Sequence, residues 1–335
     1  MTSLHVTRSI PDGLLDSSAR DLHQVLDGPT LIELDGVKGA PLFVSGLMHG
    51  NEDAGLVAIQ KLLRTFAKRT LPRPLMILIG NVAAAKEGLR RQEGQPDYNR
   101  VWPGGAQLEG CDEARIMASV HKRVVERHAI AAIDIHNNTG RNPHYGVVCE
   151  EDERVMALAS MFGPIAVLFR GLPGTQTASF AGVLPALTVE CGQSGIDANA
   201  QKAADLIEAV LSLETLEAGE RANKLTVFHT LAQVKVRDDV ALGVARAAPY
   251  LALEKDLDLN NFELLPTGFR FGQTNHPMPL LAINEAGENV AYDFFDRQGE
   301  DLKLARAVVP AMLTTQERII RQDCLCYLME ELPFR

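Results

Sequence analysis

The chain has 335 residues, of which 43 are acidic and 33 are Lys or Arg, so its formal net charge at pH 7 is −10. An acidic chain without a basic run is not expected to bind nucleic acid nonspecifically, and no apolar run is long enough to span a bilayer. The five cysteines are odd in number and form no CxxC pair, so we expect reduced thiols and a cytoplasmic location.

Strand-like and helix-like patterns alternate from residue 30 to residue 216, which predicts an α/β fold with a mostly parallel sheet. Apolar runs predict strands at residues 30–35, 42–44, 75–79, 129–135, 145–149, 165–169 and 184–190. Apolar residues at helical spacing predict helices at residues 52–69, 111–128, 151–161 and 199–216. Segments 81–105 and 171–182 are predicted as loops, and we expect the second to be mobile and to lie beside the functional site.

The pattern changes near residue 222. Residues 223–335 contain short strand-like runs separated by turns, and their last part, 308–332, is predicted as a closing helix. The chain is therefore predicted to form two domains, an α/β domain at residues 1–222 and a small β-rich domain with a C-terminal helix at residues 223–335.

The turn after the second predicted strand contains His49 and Glu52, three residues apart. A strand end followed by a helix start can aim both side chains at one point, and zinc takes imidazole nitrogen and carboxylate oxygen as ligands. The structural alternative is that the His bonds a backbone group and the Glu stabilises a helix N-terminus.

The predicted strand 129–135 is followed directly by His136, the natural third ligand. His49, Glu52 and His136 together form a set of two histidines and one carboxylate, as in known zinc hydrolases. We expect one zinc per chain, although other divalent ions accept such ligands. Asp134 either helps to orient this site or is an inward-facing turn residue.

Polar residues follow two further predicted strands. Arg90 and Arg91 lie in the loop after strand 75–79, and arginine can hold a substrate carboxylate; a solvated loop also contains such residues without any function. Glu190 ends the last strand of the α/β pattern beside a Gly-rich turn, where it either acts as a general base or faces solvent.

Five short motifs together resemble the succinylglutamate desuccinylase/aspartoacylase family of the zinc carboxypeptidase superfamily. They are HGNE at 49–52, DYNR at 97–100, DIHN at 134–137, TVECG at 188–192 and INEAG at 283–287, in the family's order. The resemblance implies a zinc-carboxypeptidase-like mixed, mostly parallel sheet with helices on both faces, followed by a small C-terminal β-rich domain.

The resemblance also implies roles for the four residues at the strand ends. His49, Glu52 and His136 would bind zinc, and Glu190 would act as general base and then as general acid. All four are present, which argues against a binding protein on a retired hydrolase scaffold, since binding alone does not need Glu190.

The loop residues match the family's substrate-binding positions. Asn99 and Arg100 correspond to the pair that holds the substrate carboxylate. Arg91 best matches the arginine that polarises the scissile carbonyl, but the gap to the Asn-Arg pair is one residue longer here, so Arg90 remains an alternative.

The expected function is that of a zinc-dependent amidohydrolase that removes an acyl group from a small N-acyl amino acid or related amide. The nearest alternative is a carboxypeptidase that cleaves a short peptide with the same site. The expected partner is a small-molecule substrate that has a carboxylate. Binding to nucleic acid or to a membrane is not expected, and a homo-oligomer is possible.

Two departures from the family pattern argue against N-acetylaspartate as the substrate. Aspartoacylases have an arginine shortly before the catalytic Glu, where this chain has Ser179-Phe180-Ala181. They also have a tyrosine shortly after INEA, where this chain has Gly287 and Glu288. If Glu288 lies near the site, its charge would suit a substrate that has an amine, a hypothesis that a panel of amide substrates tests.

Overall fold

The computed structural model describes residues 3–105, 110–138, 140–217, 224–243 and 248–333. The chain divides into two compact units, Met1–Asn138 with His144–Thr226, and Thr139–Pro143 with Val227–Arg335. The boundary predicted near residue 222 lies outside the described residues. Within the described ranges, no helix has both the length and the apolar composition needed to cross a membrane.

The first unit contains one mixed sheet. Its strands are β1 (His5–Thr7), β2 (Thr30–Leu34), β3 (Leu42–Gly46), β4 (Leu75–Ile79), β5 (Ala131–His136), β6 (Tyr145–Val148), β7 (Ile165–Leu168) and β8 (Ala186–Glu190). They lie in the order β1-β2-β4-β3-β5-β8-β6-β7. Neighbouring strands run parallel except at the β2–β4 and β6–β8 pairs, so the predicted mixed, mostly parallel sheet is confirmed.

Helices cover both faces of this sheet. They are α1 (Ala54–Phe66), α2 (Val82–Glu87), α3 (Asp112–Glu126), α4 (Glu153–Phe162), α5 (Gln176–Phe180) and α6 (Asp197–Ser212). Successive residues of a strand point to opposite faces. On β5, Ala132 packs in one core cluster with Met117 of α3 and Phe180 of α5, whereas Ile135 faces Gly55 of α1. Helix α1 also packs against α6.

Both segments that the sequence predicts as loops contain a short helix. Helix α2 lies within 81–105, where the Asn81 side chain accepts a hydrogen bond from Ala84 N. Helix α5 lies within 171–182, where Thr175 Oγ1 accepts one from Ala178 N. Helices of this length show too little apolar periodicity to be recognised, and their polar caps also look like turn residues.

Helix α1 lies unusually close to strand β3. A Cβ atom added to Gly55 would lie 2.8 Å from Gly46 Cα, and one added to Gly46 would lie 3.0 Å from Gly55 C. The backbones of the strand and the helix therefore touch directly, and neither position has space for a side chain.

The second unit is rich in β-structure. Its elements are β9 (Thr226–Val236), β10 (Ala241–Leu242), β11 (Tyr250–Leu253), β12 (Arg270–Thr274), β13 (Leu280–Ile283), α7 (Ala291–Phe294), β14 (Phe295–Gln298), β15 (Asp301–Leu304), β16 (Val309–Ala311), α8 (Glu317–Gln322) and β17 (Cys326–Glu331). Strand β9 pairs with β13 and β17, and β17 pairs with β16. A second sheet has the order β10-β11-β12-β15-β14.

The predicted C-terminal helix over residues 308–332 is wrong. This segment contains β16, the six-residue helix α8 and then β17. All four residues Cys326–Met329 are buried, so this part of β17 is covered on both faces, and its two edges pair with β9 and β16. A strand buried on both faces has no alternation of polar and apolar residues, so its sequence looks like part of a buried helix.

Candidate active site

The turn between β3 and α1 is held from several directions. Leu47, just past the end of β3, is buried and has a left-handed φ of 60°, and its carbonyl oxygen accepts a hydrogen bond from Asn81 N at 2.7 Å. Gly50 N donates to Arg90 O at 3.1 Å, and a Cβ on Gly50 would lie 2.2 Å from Ala85 N. The loop that contains Arg90 is thus brought to the turn that contains His49 and Glu52.

The structure brings His49, Glu52 and His136 together. Glu52 lies between the two imidazoles, with Oε1 2.8 Å from His49 Nδ1 and Oε2 2.7 Å from His136 Nδ1. All three side chains are buried, and one ligand atom from each lies within 4.8 Å of the others. Two imidazole nitrogens and one carboxylate oxygen at this spacing fit a divalent ion such as zinc, with a coordination position left open.

Each imidazole contacts a second carboxylate through its other nitrogen. His49 Nε2 lies 3.1 Å from Asp97 Oδ1, and His136 Nε2 lies 2.7 Å from Asp134 Oδ2. Such a contact orients a ligating ring and leaves its opposite nitrogen to face an ion. Asp134 is therefore in direct contact with a candidate ligand. Of the two interpretations from the sequence, this contact favours the orienting role over that of an inward-facing turn residue.

Opposite charges dominate the electrostatics of this cluster. Burial lowers the pKa of His136, but the carboxylates of Asp134 and Glu52 outweigh burial and raise the pKa well above its ordinary value. Burial and the positive charge of Arg90 lower the pKa of His49. The carboxylates of Glu52 and Asp97 outweigh them, so the net pKa of His49 is raised. Burial raises the pKa of Glu52, but the two imidazoles hold that pKa far below its usual range. The cluster is therefore a compact set of paired charges.

Of the two adjacent arginines, Arg90 reaches this cluster. Its Nη2 and Nε lie 3.1 and 3.2 Å from Asp97 Oδ2, and its Nη1 lies 3.7 Å from Glu52 Oε1. Arg91 instead donates from Nη1 to Gln95 O at 2.9 Å. Among the contacts of the described residues, none joins the Arg91 side chain to His49, Glu52 or His136.

Asn99 and Arg100 lie beside the same cluster. The Asn99 amide nitrogen Nδ2 lies 3.2 Å from His136 Nε2, and its Oδ1 accepts from Gln176 N at 3.0 Å. Arg100 donates from Nη1 to Asn99 O at 2.7 Å, and its charge contributes to lowering the pKa of Asp97. The Asn99 side chain is thus engaged with the protein itself, and the Arg100 guanidinium lies half-buried next to it.

Glu190 ends strand β8 next to the end of β5. The two strands are parallel, and Glu190 is the register partner of His136. Glu190 is buried, and its Oε2 has no hydrogen-bond partner among the described residues. Burial raises the pKa of Glu190 to about 8, against the opposing effect of His136. A carboxyl group with a pKa near neutrality can both take and release a proton.

Asn137 joins the strand ends to α1 through three hydrogen bonds. Its Oδ1 accepts from Ala54 N at 2.9 Å, its Nδ2 donates to Gly192 O at 3.1 Å, and its backbone N lies 3.3 Å from Glu52 Oε2. In the sequence, Asn137 is the last residue of the DIHN motif. Its position directly after the candidate ligand His136 is the local signal for a role at the site.

Comparisons with known proteins identify the family and the fold. The model of the succinylglutamate desuccinylase/aspartoacylase catalytic domain matches residues 38–216, more than half of the chain. No curated protein sequence gives a significant match.

Several solved structures share the fold over most of their length. A succinylglutamate desuccinylase from Chromobacterium violaceum is 16% identical, with a TM-score of 0.60, over 91% of this chain and 90% of that chain. One from Vibrio parahaemolyticus is 13% identical, with a TM-score of 0.62, over 91% and 87%. Murine aminoacylase 3 is 13% identical, with a TM-score of 0.53, over 88% and 95%. These likenesses show the fold, and the match of the family model shows that the chain belongs to the succinylglutamate desuccinylase/aspartoacylase family.

Proposed function

We propose that this protein is a zinc-dependent amidohydrolase that removes an acyl group from a small N-acyl amino acid or related amide. Membership of the family supports the general part of this proposal, hydrolysis of an amide bond. The observation that carries the specific part is the buried His49–Glu52–His136 group with Glu190 at the end of the adjacent strand.

The ion-binding part of the proposal rests on the donor set. His49 and His136 direct Nδ1 toward the same carboxylate, and Asp97 and Asp134 contact their Nε2 atoms. An imidazole whose Nε2–H donates to a carboxylate has its Nδ1 lone pair free to bind an ion. A zinc ion held there would supply Lewis-acid activation of water and of the scissile carbonyl.

Glu190 is proposed to move the proton. Its unpartnered Oε2 can accept a proton from the attacking water, and the same oxygen can later donate that proton to the departing amine. A pKa of about 8 keeps the carboxyl group protonated near neutrality when no ion is bound. A cation at the His–Glu–His group would lower this pKa and thereby favour the basic form.

Arg90 is proposed to stabilise the negative charge that develops on the acyl oxygen, a role that the sequence assigns more readily to Arg91. The support is the position of the Arg90 guanidinium beside Glu52 and Asp97. Fixed positive charge of this kind stabilises an oxyanion at little cost in reorganisation. Arg100, together with Asn99, is proposed to hold the substrate carboxylate.

The first unit is proposed to be the catalytic domain. Its segments contain all the residues assigned above, from His49 to Glu190. Within the described residues, no disulfide joins any of the five cysteines. The cytoplasmic location stays a prediction of the sequence.

The experiment combines metal analysis with a substrate panel. We expect about one zinc per chain in the wild type, loss of zinc in His136→Ala, and retention of zinc without hydrolysis in Glu190→Gln. Absence of metal from the wild type, even after zinc is added, would overturn the proposal.

The panel contains N-acetyl and N-succinyl derivatives of acidic, neutral and diamino amino acids, and dipeptides. Faster hydrolysis of the N-acyl amino acids supports a deacylase. Faster hydrolysis of the dipeptides would instead identify a carboxypeptidase that uses the same residues. A preference for acidic substrates would rule out the amine-bearing substrate suggested by Glu288.

A further inference from the structure

A continuous chain of buried polar side chains leads away from His136 into the core of the first unit. His136 Nε2 lies 2.7 Å from Asp134 Oδ2, Ser45 Oγ lies 2.6 Å from Asp134 Oδ1, and Gln176 Oε1 lies 2.5 Å from Ser45 Oγ. Ser45, Asp134 and Gln176 are completely buried. We propose that Ser45 and Gln176 are positioning residues that hold Asp134, and through it His136, in the geometry needed to bind the ion. This inference rests on the proposed function.

The backbone fixes the middle of this chain. Ser45 and Asp134 are register partners on the adjacent parallel strands β3 and β5, so their side chains leave the sheet side by side. Gln176 is the first residue of α5, and its backbone N donates to Asn99 Oδ1 at 3.0 Å. The three residues thus come from elements that the sheet and the Asn99 contact hold in place.

The number of available protons sets the direction of the hydrogen bonds around Ser45. Ser45 has one hydroxyl proton but faces two oxygens, Asp134 Oδ1 and Gln176 Oε1. The other end of the Gln176 amide, Nε2, is buried and has no partner among the described residues. Half a turn of the amide, which exchanges atoms of nearly equal size, directs Nε2–H at Ser45 Oγ.

In that arrangement every hydrogen bond from Gln176 to His136 has one donor and one acceptor. Gln176 donates to Ser45, Ser45 donates to Asp134 Oδ1, and His136 Nε2–H donates to Asp134 Oδ2. The Asn99 amide nitrogen, 3.2 Å from the protonated His136 Nε2, is then a neighbour of that atom and not its hydrogen-bond partner. Both carboxylate oxygens of Asp134 are then used, so the carboxylate cannot rotate without breaking a buried hydrogen bond. The His136 ring is then fixed, with Nδ1 on the side of Glu52, where it would bind the ion.

A second buried polar pair provides a matched control. Thr177 Oγ1 lies 2.7 Å from Thr188 Oγ1, and these residues come from α5 and from β8, the strand on the other side of β5. Both threonines are buried, and Thr177 lies next to Gln176 on α5. No described side-chain contact joins the pair to a candidate ligand.

The test compares Ser45→Ala and Gln176→Met with Thr188→Val in the 335-residue chain. Zinc affinity is measured by competition with a chelating dye, and the thermal midpoint of each metal-free variant is recorded. We expect Ser45→Ala and Gln176→Met to weaken zinc binding on the order of tenfold, and Thr188→Val to leave the affinity within about twofold.

A spectroscopic readout separates positioning from simple loss of stability. In the zinc-loaded wild type, the Nε2–H proton of His136 is expected to be hydrogen-bonded to a carboxylate. It should therefore give a downfield proton NMR resonance and exchange slowly with water. In Ser45→Ala this proton should exchange faster with water, whereas Thr188→Val should leave it unchanged. If Ser45→Ala does not fold, Gln176→Met gives the same readout because its side chain has nearly the same volume.

The outcomes distinguish this inference from the proposed function. If the wild type binds no zinc, the proposed function itself fails. If the wild type binds zinc and both variants bind it as tightly as Thr188→Val does, with an unchanged His136 resonance, the positioning role alone is overturned.

Discussion

Arg90 holds Asp97 through two guanidinium nitrogens, with Nε 3.2 Å and Nη2 3.1 Å from the same carboxylate oxygen, Oδ2. The other oxygen of Asp97 lies 3.1 Å from His49 Nε2. One arginine therefore both approaches the candidate ion site and fixes the carboxylate that orients one of its ligands.

Substitution of the two adjacent arginines should have unequal effects. We expect Arg90→Ala to lower kcat/KM by about 10²–10³, because the charge that faces the developing oxyanion is lost. Arg91→Ala should cost less than about tenfold, because the guanidinium of Arg91 bonds to the backbone of Gln95. Steady-state kinetics on the best substrate of the panel measures both, and a larger loss in Arg91→Ala would return the carbonyl-polarising role to Arg91.

Neutralising Asp97 should weaken metal binding. We expect Asp97→Asn to raise the zinc dissociation constant by about 10- to 100-fold, because the amide no longer holds the His49 ring by charge. Asp152→Asn is the control, since Asp152 caps α4 through the Arg154 and Val155 backbone nitrogens. Equal zinc affinities for the two variants would show that Asp97 does not orient the ligand.

Removing the charge of Glu190 should separate catalysis from metal binding. Glu190→Gln should keep its zinc and lose about 10²–10⁴ in kcat, because the amide cannot take a proton from water. The two readouts are metal content and single-turnover hydrolysis. Residual activity near that of the wild type would mean that another group is the base.

The same substitution should change how the stability of the metal-free protein depends on pH. The folded-state pKa of Glu190, about 8, lies above the ordinary value of 4.5. The contribution of the Glu190 carboxyl group to stability is therefore fully present at a pH below its ordinary pKa. That contribution is lost as the pH rises toward the folded-state pKa. The thermal midpoint of Glu190→Gln minus that of the wild type should therefore increase between about pH 5 and pH 8. If this difference does not depend on pH, the raised pKa of Glu190 is contradicted.

Zinc should stabilise the protein more at alkaline than at acidic pH. The pKa values of His49 and His136 are raised in the folded state above the ordinary 6.5. The stability from these protonated imidazoles is present below that ordinary value and is lost as pH rises through the folded-state pKa values. Zinc takes the place of the protons at Nδ1, so the drop in thermal midpoint caused by a chelator should be larger at about pH 8 than at about pH 6. An equal drop at both would contradict this linkage.

The proximity of the central candidate residues could be predicted from the sequence because their positions follow from local patterns. His49 and Glu52 follow β3, His136 ends β5 and Glu190 ends β8, and these strands lie side by side and parallel. Residues at the carboxyl ends of parallel strands meet at one edge of a sheet, so strand prediction alone places them near one another.

Other parts of the site depend on contacts that no local pattern shows. Asp97 reaches His49 only because its loop folds back to the turn at Gly50. Ser45 looks like a residue that breaks an apolar strand, and its partner Gln176 lies in a segment predicted as a loop. Choosing between Arg90 and Arg91 requires the path of the same loop, which sequence spacing alone does not give.

The direct contact between Gly46 and Gly55 limits how this enzyme scaffold can be redesigned. An alanine at either position would push α1 away from β3, since its Cβ would lie about 3 Å or less from the opposite backbone. Glu52 and His49 lie on the chain between these two glycines, so such a displacement would change the distance between the candidate ligands. Directed evolution toward new substrates should therefore accept changes in the surrounding loops much more readily than at this pair.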